Sequence, residues 1–250
     1  MLLQSYDFAE LNNRYNCTVQ IGGSDQWGNI TGGIDLTRRM NQNQVYGVTT
    51  SLVTKADGTK FGKTESGTVW ISSHMTSPYA LYQFWLNVAD ADVYKYLKFF
   101  TFLSLTEIDE IEQSDKAAKA KPEAQGILAR EVTELLHGKD GLNAAVRISE
   151  ALFSGNISSL TSGDLAQLEL DGLPCTEIQG GSKGIIEVLV DTELAKSNKM
   201  AREFIGNNAV NVNGQAVDSV DFELSSSNAL EGKFFILRRG KKLFHLAKLV

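Results

Sequence analysis

The sequence predicts an α/β fold that gives way to helices and then to a small α+β unit. Between Leu2 and Val53, helical and strand-like apolar patterns alternate. From Pro78 to Phe153 the pattern is helical throughout, and after residue 182 two helical stretches lead into short β-rich runs separated by turn residues. With 250 residues, 42% hydrophobic and 22% charged, the chain can bury a sizeable core in one large domain or two to three small ones.

The first helix is expected over Leu2 to Tyr15, with Leu3, Phe8 and Leu11 as its apolar positions. Thr18-Val19-Gln20-Ile21 reads as a short buried strand. Two glycines follow, and Ser24 or Asp25 is placed to cap a helix running to about Met40. Val45 to Val53 is β-rich again, the alternation of a parallel α/β sheet. Asp57 to Gly67, rich in glycine, lysine and threonine, reads as a mobile loop at the sheet's edge.

Helices are then expected over Pro78 to Asn87, Asp90 to Phe102, Thr106 to Gln113, Pro122 to Gly138 and Gly141 to Phe153. Thr106 with Asp109 resembles a capping box, Pro122 fits a first turn, and Gly138 and Gly155 fit C-terminal stops. The stretch 154–182 reads as a linker with one short helix near Ser162 to Leu168. In the last unit, Ile185 to Leu194 and Ser197 to Asn207 read as helices. Asn213-Gly214 signals a hairpin, and Lys233 to Arg239 and Lys241 to Leu246 read as strands around Gly240.

Cys17 and Cys175 have no CxxC partner and His74, His137 and His245 stand far apart, so neither a disulfide framework nor a metal site is expected. No apolar run approaches the roughly 20 residues that span a bilayer, and Met1-Leu2-Leu3 leads into polar residues, so the expectation is a cytoplasmic protein without a membrane partner. The formal net charge of -6 conceals a basic end: Lys233, Arg238, Arg239, Lys241, Lys242 and Lys248 are interrupted by no carboxylate side chain. An acidic body with a basic end points to RNA or another polyanion.

Gly62-Lys63-Thr64 invites a P-loop reading, but that motif needs a glycine at position 57, which is Asp57. What remains is a pair of lysines, Lys60 and Lys63, with a hydroxyl at Thr64 on a glycine-flanked loop. Such cations suit a leaving group whose negative charge grows in the transition state, and a solvated lysine-glycine loop is the plain alternative. Gln20 to Asn29 runs from a strand through Gly22 and Gly23 into a helix. That arrangement lets a nucleotide sugar approach the backbone, with Asp25 as acceptor for ribose hydroxyls; the plain alternative is a strand-to-helix turn with Asp25 as its cap.

Taken together, these segments resemble a bacterial-type tyrosyl-tRNA synthetase of class I. The resemblance lies in Gly22-Gly23-Ser24-Asp25-Gln26-Trp27-Gly28-Asn29 and in Lys55 to Thr64, which is similar to that family's version of the Lys-Met-Ser-Lys-Ser loop. It extends to Gln4-Ser5-Tyr6-Asp7-Phe8, Thr76-Ser77-Pro78-Tyr79, Tyr82-Gln83-Phe84-Trp85 and Arg238-Arg239-Gly240-Lys241-Lys242. It covers essentially the whole chain. It implies the C-terminal part of a Rossmann-like nucleotide-binding domain over 1–77, a helical anticodon-binding-type domain over 78–153, a linker over 154–182 and a ribosomal-protein-type RNA-binding domain over 183–250.

The resemblance also implies an activity: ATP-dependent activation of tyrosine and transfer of the tyrosyl group to the 3′ end of its tRNA, with Mg2+ accompanying ATP and no tightly bound cofactor. By resemblance, Lys60, Lys63 and Thr64 act on the departing pyrophosphate, Gly22, Gly23 and Asp25 hold ribose, and Leu52 and Val53 line the adenine pocket. Gln4 and Gln26 meet the amino-acid head group, and Asp7 accepts from the phenolic hydroxyl. Burial of that acceptor penalises phenylalanine, a discrimination for which this enzyme family is itself the standard illustration. Read alone, Asp7 and Gln4 are helix-surface residues. Lys196, Lys199, Arg202, Arg238, Arg239, Lys241 and Lys242 are the expected RNA contacts.

The tryptophan-specific relatives fit less well, because Gln4 and Asp7 suit a phenol pocket and the terminal unit is present. The family's His-Gly-His type motif and first strands have no counterpart in these residues. The expectation is therefore an N-terminally truncated member that does not activate tyrosine by itself and leaves apolar sheet surface uncovered. Full-length members are homodimers by the same resemblance. A non-catalytic RNA-binding protein is the competing expectation.

Overall fold

The computed structural model describes residues 1–59, 61–64, 67–118 and 122–250, with Lys63, Thr64 and Gly67 described by backbone alone. The chain divides into two compact units, Met1–Lys63 and Thr64–Val250.

The first unit is α1 (Leu2–Tyr15), β1 (Val19–Gly23), a 3-10 turn (Ser24–Gln26), α2 (Trp27–Asn41) and β2 (Tyr46–Thr50). The strands are parallel, Val19 opposite Tyr46 and Gly23 opposite Thr50, with α2 as the crossover. Close approach depends on missing side chains. A Cβ on Gly47 would lie 2.3 Å from Ile30 Cγ2, and one on Gly33 would lie 2.9 Å from Phe8 Cδ1, so α2 seats against the sheet on one side and α1 on the other. Buried Asn12 ties the turns together: its amide donates to the Cys17 carbonyl at 3.1 Å while its oxygen accepts from Asn41 and Asn43 at 3.0 and 2.9 Å. The sheet face away from α2 is open, with Val19, Ile21, Tyr46 and Val48 between 45% and 71% exposed. The sequence reading expected uncovered apolar sheet surface but a buried strand at Thr18 to Ile21; among the described residues nothing covers this face, and Val19 and Ile21 are exposed.

Two further details differ from expectation. The β-rich run is a strand only over Tyr46–Thr50. Neither Ser24 nor Asp25 caps α2; the chain enters through the 3-10 turn after Gly23, and the Asp25 carboxylate accepts from Gln26 Nε2 at 3.0 Å.

The second unit opens with the two-residue strands β3 (Lys63–Thr64) and β4 (Gly67–Thr68), followed by α3 (Pro78–Leu86), α4 (Asp90–Phe100), α5 (Leu105–Ala117) and α6 (Ala124–Ser154). Ser77 Oγ caps α3 through the Ala80 amide at 3.0 Å, with Pro78 in the first turn. The capping box on α5 is Ser104 with Glu107, not Thr106 with Asp109, because the helix begins at Leu105. Pro122 stands before α6 rather than in its first turn; the Asp115 carboxylate receives the Glu123 and Ala124 amides at 2.8 and 3.2 Å instead. Gly138, at φ 68° and ψ -178°, takes the backbone out of helix and divides the run to Ser154 into two helices across a kink, as its reading as a helix stop predicts. Tyr82, Trp85, Tyr96, Leu97, Leu128, Val132, Ala145 and Ile148 form the buried helical core.

Residues 154–182, expected as a linker, are largely regular: a 3-10 turn (Ile157–Ser159), α7 (Ser162–Gln167), a π turn (Leu168–Gly172), β5 (Cys175–Ile178) and the start of β6 (Ser182–Gly184). They are held from both sides. Asp171 and Gln167 accept from the backbone amides of Ser77 and Tyr79 at 2.9 and 3.1 Å, and β5 runs parallel to a strand far along the chain.

The remainder comprises α8 (Ile185–Asp191), α9 (Asn198–Gly206), β7 (Val210–Val212), β8 (Gln215–Ala216), β9 (Glu223–Ser225), β10 (Phe234–Arg239) and β11 (Leu243–Leu249). The five-stranded sheet has the order β5-β11-β10-β7-β8, and β6 pairs with β9. Asn213 and Gly214, at φ 51° and 84°, form the two-residue turn between β7 and β8, as the Asn-Gly pair predicts. Ile178, Ile185, Val188, Ala201, Ile205, Phe235, Leu237 and Ala247 fill the core between α8, α9 and the sheet. Among the described residues no helix is long and apolar enough to cross a membrane.

Candidate functional site

In a parallel sheet the C-terminal strand ends share one edge, and backbone amides and loops there are free to meet a ligand. Since Gly23 lies opposite Thr50, the turn after β1 and the loop after β2 emerge together. A Cβ on Gly23 would stand 2.6 Å from Asp25 Oδ1 and 2.9 Å from Leu52 Cδ2, so any larger residue would have to push these two side-chain ends aside. Gly22 is packed from the other side, with Gln26 Cβ and Ile30 Cδ1 each 3.2 Å from its Cβ position. Gln26 is fixed in turn, donating to Asp25 at 3.0 Å and accepting from Asn29 at 2.9 Å. Gly22, Gly23, Asp25, Gln26 and Leu52 thus form one cluster, with Asp25 and Leu52 exposed at its rim and Val53 half-buried beside it.

The loop that follows has a built shape. Asp57 Oδ1 accepts from the Thr59 amide at 2.9 Å and its hydroxyl at 2.7 Å, while Gly58 turns at φ 81° and donates to the Lys55 carbonyl at 2.9 Å. The two Thr59 bonds, hydroxyl first, hold the Asp57 carboxyl below its ordinary range. The residue that breaks P-loop spacing is therefore the pivot of this turn. Lys60 lies outside the described residues; Lys63 and Thr64 sit in β3, their side chains not described. Gln4 and Asp7 lie one turn apart on α1, Gln4 half-buried and Asp7 exposed, and among the described residues no side-chain hydrogen bond engages either.

The second cluster is basic. Lys196, Lys199 and Arg202 are exposed around the start of α9, and Lys241 and Lys242 are exposed in the turn at Gly240. Arg238 and Arg239 differ from the other five. Arg238 donates to Asn211 Oδ1 at 2.9 and 3.3 Å. Arg239 donates to the Leu194 carbonyl at 2.6 Å, with its guanidinium 4.9 Å from the Phe204 ring centre. Both are half-buried, and both join elements of the fold. Asn211 and Phe204, which position them, carry no sequence signal, since each reads as an ordinary strand or helix residue. Lys248 is likewise paired, with Glu169.

Residues 1–154 match the family described as tRNA synthetases class I (W and Y), and residues 164–247 match the tyrosine–tRNA ligase SYY-like C-terminal domain. Among curated proteins, a tyrosine–tRNA ligase of Aliivibrio fischeri (strain MJ11) is 66% identical over 98% of this chain and 58% of its own length. One of Chromobacterium violaceum is 58% identical with the same two coverages. A C-terminally truncated mitochondrial tyrosyl-tRNA synthetase of Coccidioides posadasii is 38% identical, with a TM-score of 0.49 over 58% of this chain and 42% of that one. The chain thus spans 58% of the length of the curated relatives it matches. On the match over residues 1–154, the chain belongs to the class I tRNA synthetases of the tryptophan and tyrosine type.

Proposed function

We propose that this chain carries part of the active site and the RNA-binding units of a tyrosine–tRNA ligase. The observation that carries the reading is the Gly23 gap between Asp25 and Leu52 at the shared strand edge, where a ribose meets a carboxylate and an adenine meets an apolar wall. In this reading the tyrosine carboxylate attacks the α-phosphate of ATP, brought in as its Mg2+ complex, and pyrophosphate leaves. The terminal adenosine of the tRNA then displaces AMP from the tyrosyl group. Gly22, Gly23 and Asp25 hold ribose; Leu52 and Val53 face adenine; Lys60, Lys63 and Thr64 neutralise pyrophosphate as it departs. Gln4 and Gln26 receive the amino-acid head group, and Asp7 accepts the phenolic hydroxyl once substrate covers it.

Residues 1–77 serve as the nucleotide-binding part, 78–153 as the anticodon-binding-type helical domain, and 183–250 as the RNA-binding domain, whose sheet also takes in the strand Cys175–Ile178. The protein works in the cytoplasm, with the homodimeric assembly expected from the sequence reading. Lys196, Lys199, Arg202, Lys241 and Lys242 contact phosphates, with Arg238 and Arg239 shaping that surface.

Calorimetry with non-hydrolysable tyrosyl-adenylate and tryptophanyl-adenylate analogues tests the reading. Preference for the tyrosyl analogue supports it, and equal or reversed affinity overturns it. ATP–pyrophosphate exchange and tRNA gel shift on the same 250-residue polypeptide separate catalysis from binding. RNA binding without exchange is the outcome expected of this polypeptide alone, since its residues include no His-Gly-His type motif.

A further inference from the structure

The C-terminal half of α4 and the turn into α5 expose an aromatic surface that the proposed chemistry does not use. Phe102 is 90% exposed, Leu105 64% and Phe99 54%. The turn is ordered. Thr101 Oγ1 donates to the Leu97 carbonyl at 2.7 Å and accepts the Leu103 amide at 3.3 Å, while Ser104 Oγ accepts the Glu107 amide at 3.2 Å. Phe102 is therefore held outward by bonds on both sides, and a ligand that covers it need not order the backbone first.

Charge surrounds the rings. Lys95 Nζ lies 6.0 Å from the Phe99 ring centre, and Lys98 is exposed on the last turn of α4. No carboxylate occurs in the sequence from Lys95 to Thr106, and the next, Glu107, is turned back onto the Ser104 amide and hydroxyl, each at 2.7 Å. An exposed ring flanked by ammonium groups suits an unpaired nucleobase, whose face stacks on the ring while its phosphates meet the cations. An apolar protein partner would match the rings but not the exposed Lys98 ammonium beside them.

We propose that Phe102, with Phe99, Lys95 and Lys98, forms a stacking platform for an unpaired base of the bound RNA, an inference that rests on the RNA-binding reading above. The parent chain and its F102A, F102W and K98A variants are titrated with an unmodified transcript of tyrosine tRNA at several KCl concentrations, with thermal melting in parallel. F102A weakens binding on the order of tenfold at every salt concentration, with the salt slope and melting temperature unchanged, and F102W restores affinity. K98A lowers the slope by about 0.7 to 0.9. F102A binding as tightly as the parent overturns the platform alone, as does a loss that F102W fails to restore. Failure of the parent chain to bind the transcript at any salt overturns the RNA-binding reading, and the platform with it.

Discussion

The guanidinium of Arg147 grips the carboxylate of Asp164 through two bonds, Nε to Oδ2 at 2.8 Å and Nη2 to Oδ1 at 2.7 Å, tying α6 to α7. The Asp164 side chain is 1% exposed and that of Arg147 38%. Burial alone would raise the Asp164 carboxyl, but Arg147 and the Thr161 donors outweigh it and the pKa ends below its ordinary value. The stability this provides is fully present above the unfolded-state pKa and is lost as pH falls through the depressed folded one. Arg147→Met leaves the carboxylate uncompensated. It should cost about 2 to 4 kcal/mol at neutral pH, below the full cost of a dry pair because Arg147 is partly solvated, and should move acid unfolding to higher pH. Urea midpoints across the acid range check both.

His245, 9% exposed, has Nε2 2.8 Å from Thr176 Oγ1 and so bonds β11 to β5. Burial lowers its pKa, against a smaller opposite pull from Glu193. The folded pKa lies below the unfolded value near 6.5, so the contribution is complete above that pH and is lost as pH falls from it through the folded pKa. The urea midpoint should drop between about pH 7.5 and about pH 5.5. His245→Gln should lessen that drop without abolishing it, since burial also lowers His137.

Gly214 turns at φ 84°, and a Cβ there would stand 2.1 Å from the Gly155 carbonyl oxygen. Gly214→Ala combines backbone strain with a clash against backbone and should cost more than about 2 kcal/mol. Gly232→Ala, at φ 69° with open space around it, carries strain alone and should cost about 1 kcal/mol. Thermal melting of the two variants separates the terms.

Arg239 and Lys242 should part company when each is replaced by alanine. Arg239→Ala removes the bond to Leu194 and the cover on Phe204, and should lower stability by about 1 to 2 kcal/mol. Lys242→Ala should leave melting unchanged and reduce the salt slope of RNA binding by about 0.7 to 0.9. Melting curves and salt titrations of both read this out.

The parts of this fold legible in sequence are those with few local alternatives. Asn213-Gly214 tolerates left-handed backbone at both positions, and the helical and strand periods around Gly22-Gly23 leave little choice but strand, turn and helix. The Cys175–Ile178 strand was not legible, because four residues acquire strand geometry only from a distant partner. Ser104 with Glu107 and Thr106 with Asp109 offer the same capping spacing, and only burial of Ile108 on the core face fixes where α5 begins. Arg238 and Arg239 read as cations among cations. What they touch is set by Asn211, Leu194 and Phe204, and tertiary contacts of that kind leave no mark in local pattern.

The order β5-β11-β10-β7-β8 places the last strand in sequence inside the sheet, between β5 and β10. During synthesis, β5 emerges first and has no hydrogen-bonding neighbour until β11 has cleared the ribosome. Pairing of β5 therefore waits on β11, and until it occurs the apolar faces of α8 and α9 lack part of the surface they will cover. A nascent chain paused just short of Leu243 should remain protease-sensitive at Cys175–Ile178, and one in which Leu243–Leu249 has also emerged should be resistant there.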